Sequence, residues 1–290
     1  MAQSAPLADL APAAPRPGAR WTLNGPAIAI GLLALFLLLA VAGPSLWPVD
    51  PIKQLPDGLD GLGMPLPPSW AHPFGTDDLG RDALARWLMG TRLSLWVGVS
   101  ATVLAGLLGG TIGVLAGAFK GLTDLVLMRV TEIVMAFPTL LLAIALASVL
   151  PPSPWMVILT LALVGWTAMA RLVRSAALSV AEQEYIQAAR SLGASEAAIL
   201  LRHVVPNVLP TLLPLLALKL ADMLLLEAAL SYLGIGIRPP ASSWGSMIQE
   251  GQLYFRDAPW LVVAPGLAIV LVVLSANLLG DRFGRLGRGR

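Results

Sequence analysis

The chain's two histidines, His72 and His203, are the natural candidates for acid–base or metal chemistry, and each stands without a partner in sequence. No cysteine is present, which excludes a disulfide framework, a cysteine–zinc site and a cysteine-ligated iron–sulfur cluster. No glycine-rich loop runs into Lys-Ser or Lys-Thr, so the chain does not hydrolyse ATP by a P-loop mechanism. The serines have no His and Asp spaced to activate them. His72 precedes Asp77, Asp78 and Asp82, but that spacing matches no recurrent ligand geometry. Turn and helix-cap chemistry accounts for Thr76 and the aspartates instead. No catalytic, cofactor-binding or metal-binding residue is therefore expected.

The remaining ionisable groups of interest sit inside apolar runs. Hydrophobic residues make up 57% of the 290 and charged residues 12%, too apolar for one soluble core. Mean hydropathy is +0.77. A polytopic all-α membrane protein follows. A net charge of +2 gives no footprint for nucleic acid. Residues 1–24, rich in Ala and Pro, read as a tail, and 25–47 as the first transmembrane helix. Arg16, Arg20, Ala40 and Ala42 also suit a cleaved leader, but the apolar run continues to Trp47 and favours a retained span. Residues 48–90 form a turn-rich loop in which Asp82 to Met89 reads as a short amphipathic helix. Further spans are predicted at about 93–118, 126–150, 155–172, 208–233 and 260–280, making six. Pro206 is expected to end the polar stretch, and the helix within it, before the fifth span.

Six spans put both termini on one side. With the N-terminus inside, 12 Lys and Arg face the cytoplasm and 6 lie outside, which predicts cytoplasmic termini. Residues 281–290 then form a basic cytoplasmic tail. Trp47, Trp70, Trp96, Trp155, Trp244 and Trp260 fall near the outer interface as an aromatic belt. Within the spans, Glu227 either lines a water-filled path or bonds a neighbouring helix or subunit. Lys219 with Asp222, and Arg129 with Glu132, are spaced i, i+3 and read as structural pairs.

The cytoplasmic stretch AEQEYIQAARSLGASEAAILLRHVVPNVLP, 181–210, carries the clearest pattern. Tyr185, Ala188, Ala189 and Leu192 fall on one helix face, Gly193 stops the helix, and Ser195 N-caps a second. Ala197, Leu200, Leu201 and Val204 repeat the spacing. A helix–Gly–helix hairpin outside the bilayer either lies on the membrane or docks a soluble partner.

This hairpin resembles the EAA loop of binding-protein-dependent ABC importer permeases. Ala188, Ala189, Gly193 and Pro206 match the pattern in register, while Gln187 replaces its Glu, His203 its Ile and Val205 its Leu. HPFGTDDLGRD at 72–82, MAFPTLLLAIAL at 135–146, ARLVRS at 170–175, EAALSYLGIGIRPPASSWG at 227–245, and APW with NLLGD at 258–260 and 277–281 resemble the second-permease type of the dipeptide/oligopeptide/nickel subgroup.

The resemblance implies a type I ABC importer permease fold, with residues 91–280 as the shared core and 181–206 as the coupling loop. It implies a second homologous permease, two ABC ATPase subunits that hold ATP and Mg, and an extracytoplasmic solute-binding protein, in a cell membrane whose lipid surrounds the chain. Glu184, Tyr185, Gln187, Ala188, Ala189, Arg190, Leu192, Gly193 and Ala194 become the expected ATPase-coupling residues, and Glu227 the candidate path residue. Small peptides are the expected substrate, with nickel or another small solute as the alternative. A stand-alone secondary transporter would need no ATPase-docking hairpin, and no inverted repeat is seen to support one.

Overall fold

The computed structural model describes residues 25–287; the N-terminal tail and the last three residues lie outside them. The described residues build helices and turns, with two isolated backbone bridges, Leu59–Pro65 and Thr76–Asp82, in the outer loop. Helix α1 spans Gly25–Leu46, α2 Ala83–Phe119, α3 Gly121–Met135, α4 Thr139–Val149 and α5 Pro154–Ala181. Helix α6 is Glu184–Ser191, α7 Glu196–Ile199, α8 Val205–Tyr232, α9 Trp244–Gly251 and α10 Trp260–Gly287.

Five helices are long and apolar enough to cross a membrane, and the bent pair α3–α4 makes six if counted as one span. That third span is broken by 87° rather than straight. Pro138 offers no N–H and disfavours helical geometry at Phe137, so the chain turns at MAFP. The separate helix expected at 82–89 does not exist. No proline interrupts 83–92, and α2 runs unbroken from its cap, Asp82, whose side chain accepts the Ala85 N–H at 2.8 Å.

The second hairpin arm does not end at Pro206. It passes through a π turn, Leu200–Val204, where Val205 N–H bonds Leu200 C=O, and continues as α8. The turn's extra residue shifts the register immediately before Pro206, and the helix continues past it. Residues 281–287 extend α10 instead of forming a separate tail.

The bundle is organised around α2 and α5. Gly109 and Gly113 of α2 face α5 so closely that an added Cβ would lie 2.4 Å from the Trp166 carbonyl oxygen and 2.5 Å from that of Ala170. Two backbones in contact bury their helix surfaces without bulky side chains, the way small residues let membrane helices associate. Around this seam, Val97, Ala101, Val157, Leu161 and Met223 form one buried cluster. Helix α1 lies at the edge, burying Phe36 and Ala40 against Trp87 and Trp244. Trp244 is only 1% exposed and donates its ring N–H to Thr91 Oγ1 at 3.2 Å, so it belongs to the core rather than to an interfacial belt.

Candidate coupling surface and intramembrane charges

Helix α6 ends in a paired-bond cap. Gly193 N–H bonds Arg190 C=O at 2.9 Å and Ala194 N–H reaches back to Ala189 C=O at 3.1 Å, with Gly193 at φ +86°. This closure needs a left-handed residue, which glycine adopts without a Cβ penalty. Ser195 then caps α7, accepting the Ala198 N–H at 3.3 Å. Arg190 and Glu196 join the two arms through paired bonds of 2.9 and 3.1 Å.

The hairpin's anchors are Ile186 and Ile199. Both are buried with Val173 and Ala177 of α5, Val204 at the end of the π turn and Val208 of α8. The spacing of five between Ile199 and Val204 replaces the predicted 197/200/201/204 stripe, because the π turn advances the face; Ala197 and Leu201 are exposed. On the opposite side, Leu192 is 88% exposed and Tyr185 46%, and Glu184, Gln187, Ala188 and Ala194 are exposed beside them. Ala189 is half-buried against the hairpin's own core. Gln187 folds its amide back to Glu182 C=O at 3.4 Å. His203 stacks edge-on near Tyr185, with centroids 6.0 Å apart. The base is tied to the α2–α3 corner by Lys120 and Glu182 at 3.0 Å and to α3 by paired bonds from Arg174 to Asp124.

Glu227 is fully buried. It accepts from Ser94 Oγ of α2 at 3.0 Å and from Ser231 Oγ, one turn along α8, at 2.8 Å. Ser94 Oγ also accepts the Trp244 backbone N–H at 3.2 Å, so the carboxyl group holds α2, α8 and the start of α9 together. These contacts have the form of the bonded alternative named for Glu227. Ser231 stands i+4 from it, a signal the sequence offered; Ser94 is 133 residues away and offered none.

The i, i+3 pairs form as expected, Lys219–Asp222 at 3.4 Å and Arg129–Glu132 at 3.2 Å. The latter pair is exposed on α3.

At the outer end, His72 Nδ1 lies 2.8 Å from Asp82, which also accepts from the Trp47 ring N–H at 3.1 Å. Asp77 and Asp78 turn elsewhere. With Glu250 they offer oxygens within 4.8 Å of one another, a spacing that suits a cation. Two guanidinium groups already fill that role: Arg81 and Arg86 reach Asp77 at 2.6 and 3.1 Å, and Arg86 reaches Glu250 at 2.6 Å. Burial is the main cause holding the Asp78 and Glu250 carboxyls above their ordinary range. A mostly apolar cleft of about 760 Å³ opens between α1 and α2 beside Arg92, Trp96 and Pro240, far from the hairpin.

Residues 109–287 match the family described as binding-protein-dependent transport system inner membrane component. A protein of Brucella suis biovar 1 (strain 1330), named as a peptide permease, is 37% identical over 284 residues, which cover 97% of this chain and 92% of the relative. An Escherichia coli (strain K12) protein, named as a D,D-dipeptide transport system permease, is 35% identical over 264 residues, 90% of this chain and 87% of the relative. The helices also overlay an inward-facing structure of the MetNI methionine ABC transporter, with TM-score 0.53 and 19% identity, over 67% of this chain and 94% of that one. The type I ABC importer permease fold expected from the sequence is thus the fold observed. The protein is a multi-pass inner-membrane transport subunit and not an enzyme. Its matches span the core helices, the hairpin and nearly the full length of its relatives, and the chain belongs to the family of binding-protein-dependent transport system inner membrane components.

Proposed function

We propose that the chain forms, with a second homologous permease, the translocation path of an ATP-driven importer of small peptides. The peptide substrate is supported by the names of relatives at 37% and 35% identity along most of the chain. Two ABC ATPase subunits bind ATP and Mg, and an extracytoplasmic binding protein delivers substrate. The observation that carries the coupling role is the two-sided hairpin. Ile186 and Ile199 fasten it to the bundle, while Tyr185, Ala188 and Leu192 present an uncovered face. A hairpin fixed on one side and docked on the other transmits displacement as a rigid lever. When the ATPases close on ATP, the hairpins of the permease pair are drawn together and the path turns outward. When they separate, it opens inward. The test is reconstitution with the partner subunits and binding protein in vesicles. Uptake of radiolabelled dialanine driven by internal ATP is expected; uptake of nickel in its place would overturn the peptide assignment.

Both termini are assigned to the cytoplasm on the 12-to-6 charge count. Leu62 and Leu253 are highly exposed in the outer loops, and Ser195 is exposed in the hairpin. Cysteines at Leu62 and Leu253 should react with an impermeant maleimide in intact cells, and one at Ser195 only after permeabilisation. The reverse pattern would invert the map.

Glu227 acts here as a latch rather than as a wall of the path. Glu227→Ala strands the Ser94 and Ser231 hydroxyls, at about 1–3 kcal/mol for each buried group left unpaired. The expected result is a complex whose outer segment around Trp244 becomes protease-sensitive and whose melting temperature falls by several degrees. Glu227→Gln keeps a carbonyl acceptor and should transport within about twofold of wild type, a difference well under 1 kcal/mol. Strong loss of uptake by Glu227→Gln in an intact complex would restore the path role.

A further inference from the structure

We propose that Asp222 lines the water-filled path at mid-membrane and receives the positively charged end of the substrate; the substrate half of this assignment rests on the peptide reading above.

Depth is the first step. The Lys219 stem packs against Gly165 of α5, its Cε 3.4 Å from where a Cβ would stand. Gly165 lies 165 − 154 = 11 residues inside α5, about 16 Å below its outer end. From the other direction, Asp222 lies 232 − 222 = 10 residues before the end of α8, about 15 Å. Half of a hydrocarbon core is about 15 Å. Both measures put the Lys219–Asp222 pair near the bilayer midplane.

Exposure is the second. The Lys219 side chain is 13% exposed and that of Asp222 66%. The lysine packs on α5, while the carboxylate stands out on a stripe of α8 with Leu218 and Leu225 on either side. A carboxylate has about four acceptor sites, and Lys219 at 3.4 Å is its only bonding partner among the described residues. Lipid cannot supply the rest, and an aspartate is too short to reach the headgroups as a lysine or arginine does. Water supplies them, which makes this stripe of α8 a wall of the path.

The chemistry follows from the pair. Lys219 offsets the charge of Asp222, so the site is neutral when empty and crossing it needs no bare buried anion. An entering ammonium group takes over the outward lobe of the carboxylate with a charge-assisted bond, while Lys219 stays in place behind it. The single long contact to Lys219 leaves Asp222 free to accept and release such a group.

Cysteine reactivity in the assembled complex tests the wet wall. Asp222→Cys should react with a cationic, water-soluble methanethiosulfonate about tenfold faster than Val270→Cys, an exposed apolar position 270 − 260 = 10 residues into α10, because the reactive thiolate forms only in contact with water. Leu225→Cys, which keeps the aspartate, should share the fast rate if Asp222→Cys fails to assemble. Rates no faster than Val270→Cys at both positions would overturn the path assignment and leave Asp222 covered by the second permease. For the ammonium, Asp222→Asn should cut dialanine uptake about tenfold, the worth of one charge-assisted bond, with binding-protein-stimulated ATP hydrolysis retained, and Asp222→Glu should recover most of it. Unchanged uptake by Asp222→Asn would overturn the substrate contact. If the wild-type complex carries no dialanine, the peptide reading falls and the ammonium contact with it, while the cysteine rates still decide the wall.

Discussion

Gly113→Leu is expected to leave almost no folded permease in the membrane. The added Cβ alone would stand 2.5 Å from the Ala170 carbonyl oxygen and 2.9 Å from Arg174 N. Both obstacles are backbone, so no rotamer change relieves the contact. The helices must separate, and separation uncovers the seam that Val97, Ala101, Val157 and Leu161 depend on. Overpacking of an ordinary core site costs about 1–3 kcal/mol; a backbone collision at the central helix pair exceeds that and removes a large share of total stability. Gly109→Ala should be nearly as harmful, since its Cβ would meet the Trp166 carbonyl oxygen at 2.4 Å. Gly110 supplies the control one residue along. There a Cβ meets only Leu212 Cδ1, at 3.9 Å, and Gly110→Ala should be tolerated or mildly stabilising. The measurement is the yield of monodisperse protein by size exclusion and its melting temperature. Equal yields for Gly110→Ala and Gly113→Leu would show that α2 and α5 do not touch as described.

That seam was present in the sequence as glycines at 109, 113 and 117, yet it reads there only as a Gly- and Ala-rich span. Spacing says that a small face exists; it does not say which helix fills it. The span positions were legible for a simpler reason: apolar runs long enough to cross a bilayer have few alternatives. Breaks and joins between helices were less so. Pro138 bends the third span by 87°, whereas Pro206, Pro210 and Pro214 sit within a helix that continues. Proline removes one donor in every case, and whether the helix survives depends on what packs around it. The hairpin's existence followed from Gly193 and Ser195, but its buried side did not. On the first arm Ile186 lies off the 185/188/189/192 stripe; on the second, Ile199 became an anchor because the π turn rotates that arm, and no periodicity of 3.6 anticipates an extra residue. Glu227 and Asp222 show the same limit for charges. Five residues apart on one helix, the first is sealed between Ser231 of its own helix and Ser94 of α2, and the second stands in the open, a difference set largely by what packs against α8.

Ala188→Trp in the hairpin is expected to abolish uptake while leaving the permease folded. Ala188 lies on the uncovered side, flanked by Tyr185 and Leu192, and away from the Ile186–Ile199 anchor, so an indole there disturbs nothing within the chain. It obstructs only a surface that must come close. A partner held off by one indole loses packing over the whole contact, because attraction between apolar surfaces fades within a fraction of an ångström of extra separation. Gly193→Val tests the same coupling from inside. Nothing lies within 4 Å of a Cβ at this position, so the strain is purely conformational. A β-branched residue at φ +86° costs about 1–2 kcal/mol, which the bundle tolerates, but the chain relieves it by opening the Ala194-to-Ala189 closure and re-aiming α7. Both variants should insert, pair with the second permease and keep a near-normal melting temperature. Both should lose ATPase co-purification, or retain hydrolysis that no longer responds to the binding protein, and uptake should fall by about a hundredfold, as when a rigid connection of roughly 3 kcal/mol is removed. A loss of folding in place of a loss of coupling would mean that the hairpin's outer face is covered by its own chain. Normal transport by both variants would mean that no ATPase seats on that face of the hairpin.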